Sequence, residues 1–360
     1  MGTIRESNFD LLRLVSTAAV ILLHVSATYK DALTNPAIFG QIYQENKLFI
    51  CTSNVIPRFA VPCFFMLSGA FLIANDKICN DCKTFYKKSF IKIGIPAIIC
   101  SILYTVYTVL KDAVSGMNVN EAIGGALFDL IIGKPFYHLW YIFTLSGLYL
   151  ATPLVISLKK ISNKKLKIVG TALLVVSSIS YLMSKHILMW DIGYQVYFMG
   201  YFIIGYVIRQ WGLKNKSNLQ GIIKLIYAGL VCGCIVILRY FQAVGGIGDN
   251  ELAIPLVDPL SPLIILFSIL VFTGFSQLEI NLQIKRNIME VTLYIYLLHA
   301  GVWDLLLNIL IRRSFIYKYS SAVIIIGTIM VFVISIFISI FFKRLIDFLI
   351  FRDTLYSNKA

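Results

Sequence analysis

Apolar runs long enough to cross a bilayer recur from one end of this chain to the other, and no other feature constrains its fold as tightly. A helix rises about 1.5 Å per residue and the hydrocarbon layer is about 30 Å thick, so roughly 20 apolar residues make one crossing. Such runs lie near 11–29, 55–74, 91–110, 136–157, 166–184, 192–210, 219–240, 253–275, 288–311 and 319–342. Every backbone N–H and C=O in lipid needs an internal partner, so each run is expected to be helical. Hydrophobic residues make up 58% of the 360, too many to surround one water-soluble core. The expectation is an all-α, polytopic integral membrane protein with about ten transmembrane helices, one membrane-embedded domain over 1–360 and no attached soluble domain. Prolines 96, 153, 255, 259 and 262 blur the edges of several runs.

Charge orients the chain, because Lys and Arg in short loops stay on the cytoplasmic side. With the N-terminus inside, 22 of the 32 Lys and Arg fall on that side. Both termini are then cytoplasmic, and the bilayer is expected to be the cell membrane. The net charge of +14 is thereby read as a topology signal, with no motif for nucleic acid. Arg312, Arg313 and Lys318 dissent: they fall outside, so either the last helix pair is misassigned or they meet an anionic partner. Val25-Ser26-Ala27 could pass for a leader cleavage site, but Asp10 and Arg13 sit close to the apolar run, and the first helix is expected to be retained. Of seven cysteines, only Cys79 and Cys82 have pair-like spacing, and they read as reduced thiols rather than as a metal or redox site.

Few residues within these runs carry chemistry. In RLVSTAAVILLH (residues 13–24), Arg13 and His24 are separated by 11 helical steps, which places them on one face about 16 Å apart. Arg13 belongs at the cytoplasmic end, where it is either a snorkelling anchor or a functional cation. An ionisable residue inside a span is a functional candidate by default, and His24 is one. Low dielectric disfavours an imidazolium, leaving a ring nitrogen to accept a proton as a general base. No residue nearby in sequence completes a hydrolase-type triad. His138 at the outer start of the fourth run and His299 within the ninth are possible company, whereas His186 reads as a surface residue. Ser68-Gly69-Ala70 lets a second backbone or a thin ligand come close. Phe136, Tyr137, Trp140 and Tyr141 read either as an interfacial aromatic belt or as the lining of a site. No residue set suggests a metal.

Together these pieces resemble acyltransferase family 3, membrane proteins that move acyl groups onto sugars and other cell-envelope hydroxyls. The resemblance is carried by FDLLR and the R-x10-H spacing of Arg13 and His24, and by RFAVPCFFMLSGAFL (58–72). It continues with KPFYHLWYIFTLSGLYLATPL (134–154), YFMGYFIIGYVI (197–208) and IYLLHA (295–300). Within the family the chain is most similar to the stand-alone type that O-acetylates enterobacterial common antigen. Larger members add a C-terminal hydrolase-like or racemase domain, and the activities of those domains are not implied for this chain.

The resemblance implies acetyl-CoA or another acyl-CoA as donor substrate, no permanently bound cofactor, and a glycan or lipid-linked sugar as acceptor. It implies His24 as the catalytic base, with Arg13, Ser68 and Gly69 beside the coenzyme. A guanidinium pairs with phosphate in a fork, and Gly69 would let the thin pantetheine arm pass. Lys87, Lys88 and Lys92 are further phosphate candidates. His138, Trp140 and His299 are expected on the acceptor side or in support. The competing reading is a multi-pass transporter of a small polar solute or sugar precursor, with Arg13, His24 and Asp304 along its path. Paired repeats, frequent in secondary transporters, are not evident.

Overall fold

The computed structural model describes residues 6–183, 191–245, 256–282, 286–310 and 313–357, and they contain no strand. The helices are α1 (Ser7–Ser26), α2 (Lys30–Thr34), α3 (Pro36–Gly40), α4 (Gln44–Val55), α5 (Ala60–Leu72), α6 (Lys77–Asn80), α7 (Cys82–Ser89), α8 (Ile95–Val114) and α9 (Val119–Ile131). They continue as α10 (Trp140–Ile161), α11 (Asn163–Met183), α12 (Asp191–Lys214), α13 (Asn218–Gly245), α14 (Pro262–Gln277), α15 (Arg286–Leu310), α16 (Arg313–Lys318) and α17 (Ser320–Ser357). Each of the ten predicted runs contains a helix among the described residues. Eight stretches are long and apolar enough to cross a membrane, so this is a polytopic membrane protein. α12 lies outside those eight, and α14 is the shorter apolar helix with 16 residues.

Alternating direction follows from what the helix ends touch. At one end Glu6, before α1, is ion-paired with Arg209 near the end of α12. Arg209 also donates to the Ala70 carbonyl of α5, and Asn8 donates to the Phe275 carbonyl of α14 at 2.8 Å. At this same end Lys159 of α10 pairs with Asp76 at 2.6 Å, and Lys343 of α17 pairs with Glu290 of α15 at 3.3 Å. At the opposite end Tyr29 donates to the Ile316 carbonyl, Gln44 to the Tyr240 hydroxyl, and Lys111 to Asp304. Thus α1 and α15 start at the end where α5, α10, α12 and α14 finish.

Small residues set how closely the central helices approach. A β-carbon on Gly69 would overlap the Phe202 carbonyl, and one on Gly205 would overlap the Met66 backbone, so α5 and α12 cross almost backbone to backbone. This is the small-residue contact that replaces hydrophobic collapse in lipid. Burial separates centre from periphery. The stretch Gln44–Leu72 is 61% buried in its most apolar window, whereas that of α13 is 28% buried, and α13 presents Leu219, Ile226, Leu230 and Phe241 outward.

Three regions differ from the sequence expectation. The stretch 30–54 was not expected to be helical, yet α2, α3 and α4 fill it, and α4 runs into α5 through a 3-10 turn around Pro57. α4 is weakly apolar as a sequence because its buried face mixes polar Asn46, Ser53 and Asn54 with apolar Ile50, Cys51 and Val55. α9 is likewise additional and packs along α8. The eighth run, expected from 253, becomes helical only at Pro262, since the described part of its proline-punctuated start (256–261) is loop. His186 and Arg312, and the Arg313 side chain, lie outside the described residues. Lys318 packs over the Tyr319 ring at 5.4 Å. Val25 and Ser26 are buried within α1. Cys79 and Cys82 are free thiols, and each donates to a backbone carbonyl. Beside them Asp81 caps α7, and the bonds it accepts from the Thr84 side chain and N–H hold its carboxyl below the usual carboxylate range.

Candidate functional site

Three of the four histidines of this chain meet at one place. His24 comes from the last turn of α1, His138 from the turn before α10 and His299 from the middle of α15. Ring centroids are 5.0 Å apart for His24 and His299, 5.2 Å for His138 and His299, and 6.1 Å for His24 and His138. Tyr137 lies 5.1 Å from His24, and Tyr296 lies 5.6 Å from His138.

Backbone carbonyls fix two of these rings. A carbonyl only accepts, so a ring nitrogen facing one carries the hydrogen. His138 Nε2 lies 3.2 Å from the Leu297 oxygen, and His299 Nδ1 lies 2.7 Å from that of Tyr296. The other nitrogens, His138 Nδ1 and His299 Nε2, are buried without a hydrogen-bond partner. In neutral rings these carry lone pairs, which is unusual in a packed interior, where nearly all buried polar atoms are satisfied. The Tyr296 hydroxyl donates to the His138 carbonyl at 2.5 Å, and Tyr104 packs against the His138 ring at 5.3 Å. His138 is therefore gripped by α8 and by α15. His24, partly exposed, is less constrained.

Tyr296, which packs against His138 and His299, lines two cavities. One, of about 470 Å³, is lined by His24, His138, Trp140, Arg58, Arg239 and Asp258 among others. The second, of about 670 Å³, is lined by Arg13, Ser68, Lys88, Lys92 and Lys343 with Glu290 and Asp347. Tyr141 and Tyr296 belong to both linings, with their ring centroids 5.0 Å apart. These two rings form the wall between the chambers. Arg13 and His24, on one helix, thus open onto different chambers.

The remaining predicted residues are placed as follows. Ser68 lines the Arg13 cavity and donates to the Phe64 carbonyl at 3.0 Å. Gly69 lines neither cavity, because its α-carbon faces α12. Lys88 and Lys92 reach the Arg13 cavity because a π-type turn at Phe90–Gly94 joins α7 to α8, a wide turn frequent at functional sites. Trp140 packs on Phe198 at 5.5 Å. Asp304 lines neither cavity; it accepts from Tyr107 at 2.5 Å and from Lys111 at 2.8 Å.

Sequence reasoning missed Tyr141 and Tyr296 as the shared wall, and Arg58, Arg239 and Asp258 in the His24 cavity. Arg239 had a readable signal, since it interrupts the apolar run GLVCGCIVILRYF, the circumstance that singled out His24. No group of three His, Cys, Asp or Glu side chains among the described residues is arranged to hold a metal.

A family model described as an acyltransferase domain matches residues 6–343. An amino-acid racemase from Enterococcus faecalis is 28% identical over 173 residues, which is 47% of this chain and 21% of that protein. The chain therefore covers about a fifth of the length of this curated relative. No solved structure matches the chain. The family match takes in α1 with Arg13 and His24, the wall tyrosines and all three clustered histidines, and on that extent the chain belongs to acyltransferase family 3.

Proposed function

We propose that the protein is a membrane-bound O-acyltransferase, a single membrane-embedded domain that moves an acyl group, most simply acetyl, from acyl-CoA to a hydroxyl of a cell-envelope glycan or its lipid-linked precursor. One observation carries this reading. His24 opens onto one chamber and Arg13, on the same helix, onto another, and Tyr141 and Tyr296 line both. Such a pair of chambers suits a reaction that brings together two chemically different substrates.

In this reading the coenzyme occupies the Arg13 chamber. Its phosphates meet Arg13, Lys88 and Lys92, and the thioester reaches the tyrosine wall. The acceptor enters the other chamber and presents its hydroxyl to His24. His24 takes the hydroxyl proton as the oxygen attacks the thioester carbonyl; the carbon–sulfur bond breaks, and the proton passes to the departing thiolate of coenzyme A. His299 Nε2 offers a lone pair beside the imidazolium that forms transiently on His24. Direct transfer with a general base needs no covalent acyl-histidine. The basic residues flanking the Arg13 chamber match a cytoplasmic face. We accordingly place the protein in the cell membrane with both termini in the cytoplasm, where acyl-CoA is made.

The test is acetyl transfer from labelled acetyl-CoA to envelope glycans, followed by mass spectrometry in cells with wild-type chain, His24→Ala or none. Labelled O-acetyl groups with the wild type alone support the reading; equal labelling with His24→Ala at matched expression defeats it.

A further inference from the structure

We propose that His299 is the positioning residue for His24: its Nε2 accepts the N–H of one His24 nitrogen and so leaves the other, toward the chamber, to take the hydroxyl proton. The inference rests on the acyltransfer reading above and adds to it the partner that aims the base.

Two of the three clustered imidazoles have their hydrogens committed. Carbonyls only accept, so His299 carries its hydrogen on Nδ1, toward the Tyr296 oxygen at 2.7 Å and the Ile295 oxygen at 3.1 Å. His138 carries its hydrogen on Nε2, toward Leu297. The nitrogens left over, His299 Nε2 and His138 Nδ1, are lone pairs that are buried and without a partner. Although these two rings lie 5.2 Å apart, two acceptors cannot bond to each other. The donor has to be a third group.

Distance selects His24. Each imidazole nitrogen lies about 1.1 Å from its ring centre and an N–H···N bond spans at most about 3.2 Å, so bonded rings have centroids no more than roughly 5.5 Å apart. His24 meets that limit with His299, at 5.0 Å, and misses it with His138, at 6.1 Å. It is also the partly exposed ring of the three, able to serve a partner on one side and a substrate on the other. His299 is fully buried and lines neither chamber, so it reaches the reaction only through another side chain. Its own place is fixed twice. Nδ1 is tied to the preceding turn of α15, and α15 is tied to α8 at this level, where Tyr104 donates to the Leu297 carbonyl at 3.0 Å and accepts from the Gly301 N–H at 3.0 Å.

The acceptor that holds one nitrogen of a histidine decides which nitrogen stays basic. With its hydrogen on His299, His24 keeps a lone pair for the acceptor hydroxyl. Once His24 has taken the hydroxyl proton it is a cation, and its bond to His299 becomes charge-assisted and stronger. His299 neither gains nor loses a proton; the one taken by His24 goes on to the departing thiolate.

The experiment uses the full chain with ¹⁵N-labelled histidine in lipid nanodiscs. The chain has four histidines, few enough to assign by substituting each in turn. The expected signature is one His24 tautomer with a nitrogen–nitrogen coupling across the hydrogen bond to His299. His299→Leu should remove the coupling and leave His24 as a mixture of tautomers. Rates are read with acetyl-CoA and extracted envelope glycans. His299→Leu should lower kcat by about 10²-fold or more, since a catalytic histidine in the wrong tautomer costs about 10⁴ in the serine-protease triad, with the KM for acetyl-CoA and the thermal midpoint unchanged. His299→Gln keeps an acceptor oxygen and should restore part of kcat; it is also the second variant should His299→Leu fail to fold. A role in packing alone predicts a lower thermal midpoint, a kcat near wild type in the folded fraction and no advantage of Gln over Leu. That pattern, an absent coupling, or a His24 tautomer that His299→Leu does not change would overturn the proposal. Coupling in a wild-type chain that transfers no acetyl group would support the pairing and defeat the acyltransfer reading.

Discussion

The two chambers are both basic, but their charges have different origins. Around Arg13 the cations sit where a membrane protein ordinarily keeps them, at the end of the bundle that charge asymmetry assigns to the cytoplasm. Acids accompany several of them: Asp10 lies 3.9 Å from Arg13, and Lys343 bridges Glu290 and Asp347. Around His24 the cations occur at the other end, one of them deeply buried, and no topological rule asks for them. The comparison teaches that a positive charge is informative in proportion to how little else explains it. By that measure the charges of the larger chamber are the ordinary ones, and those of the smaller chamber are the ones that call for another explanation.

The sharpest way to break the comparison is at His24. His24→Ala should lower transfer by about 10² to 10⁴, the usual loss on removing a general base, while protein level and the KM for acyl-CoA stay near wild type. Initial rates with purified protein check this, and a rate within a few-fold of wild type would leave the smaller chamber without a catalytic role. Next in size is Arg13→Lys, which keeps the charge and removes the fork. It should raise the KM for acyl-CoA about tenfold with a smaller change in kcat, because the lost contact is made in ground and transition states alike. An unchanged donor KM with correct topology would return Arg13 to the role of anchor.

The crossing of α5 with α12 supports both chambers, since α5 contributes Ser68 to one and Val61 to the other. Gly69→Leu should therefore damage them together. Forcing apart two backbones in contact costs on the order of 1–3 kcal/mol or more, visible as a lower midpoint in thermal unfolding in detergent. Selective loss of donor binding at unchanged stability would instead give Gly69 a direct part in the Arg13 chamber. The smallest effect is expected outside both chambers. The Lys111–Asp304 pair is partly exposed, with the lysine side chain 43% accessible, and such pairs contribute about 0–1 kcal/mol. Asp304→Asn should leave acyl transfer within a few-fold of wild type. Loss of transfer with preserved folding would revive a permeation path through Asp304.

Several features were legible before any coordinates. Apolar length and period mark a helix locally, so the runs behind α1, α8, α10, α13, α15 and α17 could be read directly. α4 could not, because Asn46, Ser53 and Asn54 share its buried face with Ile50, Cys51 and Val55 and dilute the apolar signal. His24 was conspicuous for a local reason, a single imidazole in a hydrocarbon run. His138 and His299 could be named only as possible company, because nothing local ties residues 138 and 299 to residue 24. Gly69 shows the opposite failure: its spacing allowed either a ligand or a backbone beside it, and the neighbour is the Phe202 carbonyl.

The sequence by itself determined that this chain is a bundle of membrane helices, which ends of those helices carry the positive charge, and that Arg13 and His24 share a helix about 16 Å apart. Those properties depend on residues near one another along the chain, through hydrogen bonding within a helix and the transfer of side chains into lipid. Tertiary structure alone decided that Tyr141 and Tyr296 line two chambers, and that Arg239 of α13 lines one of them with Arg58 and His24. Such meetings depend on how close helices can pack. Gly69 and Gly205 set that approach for α5 and α12 through contacts between residues far apart in the sequence.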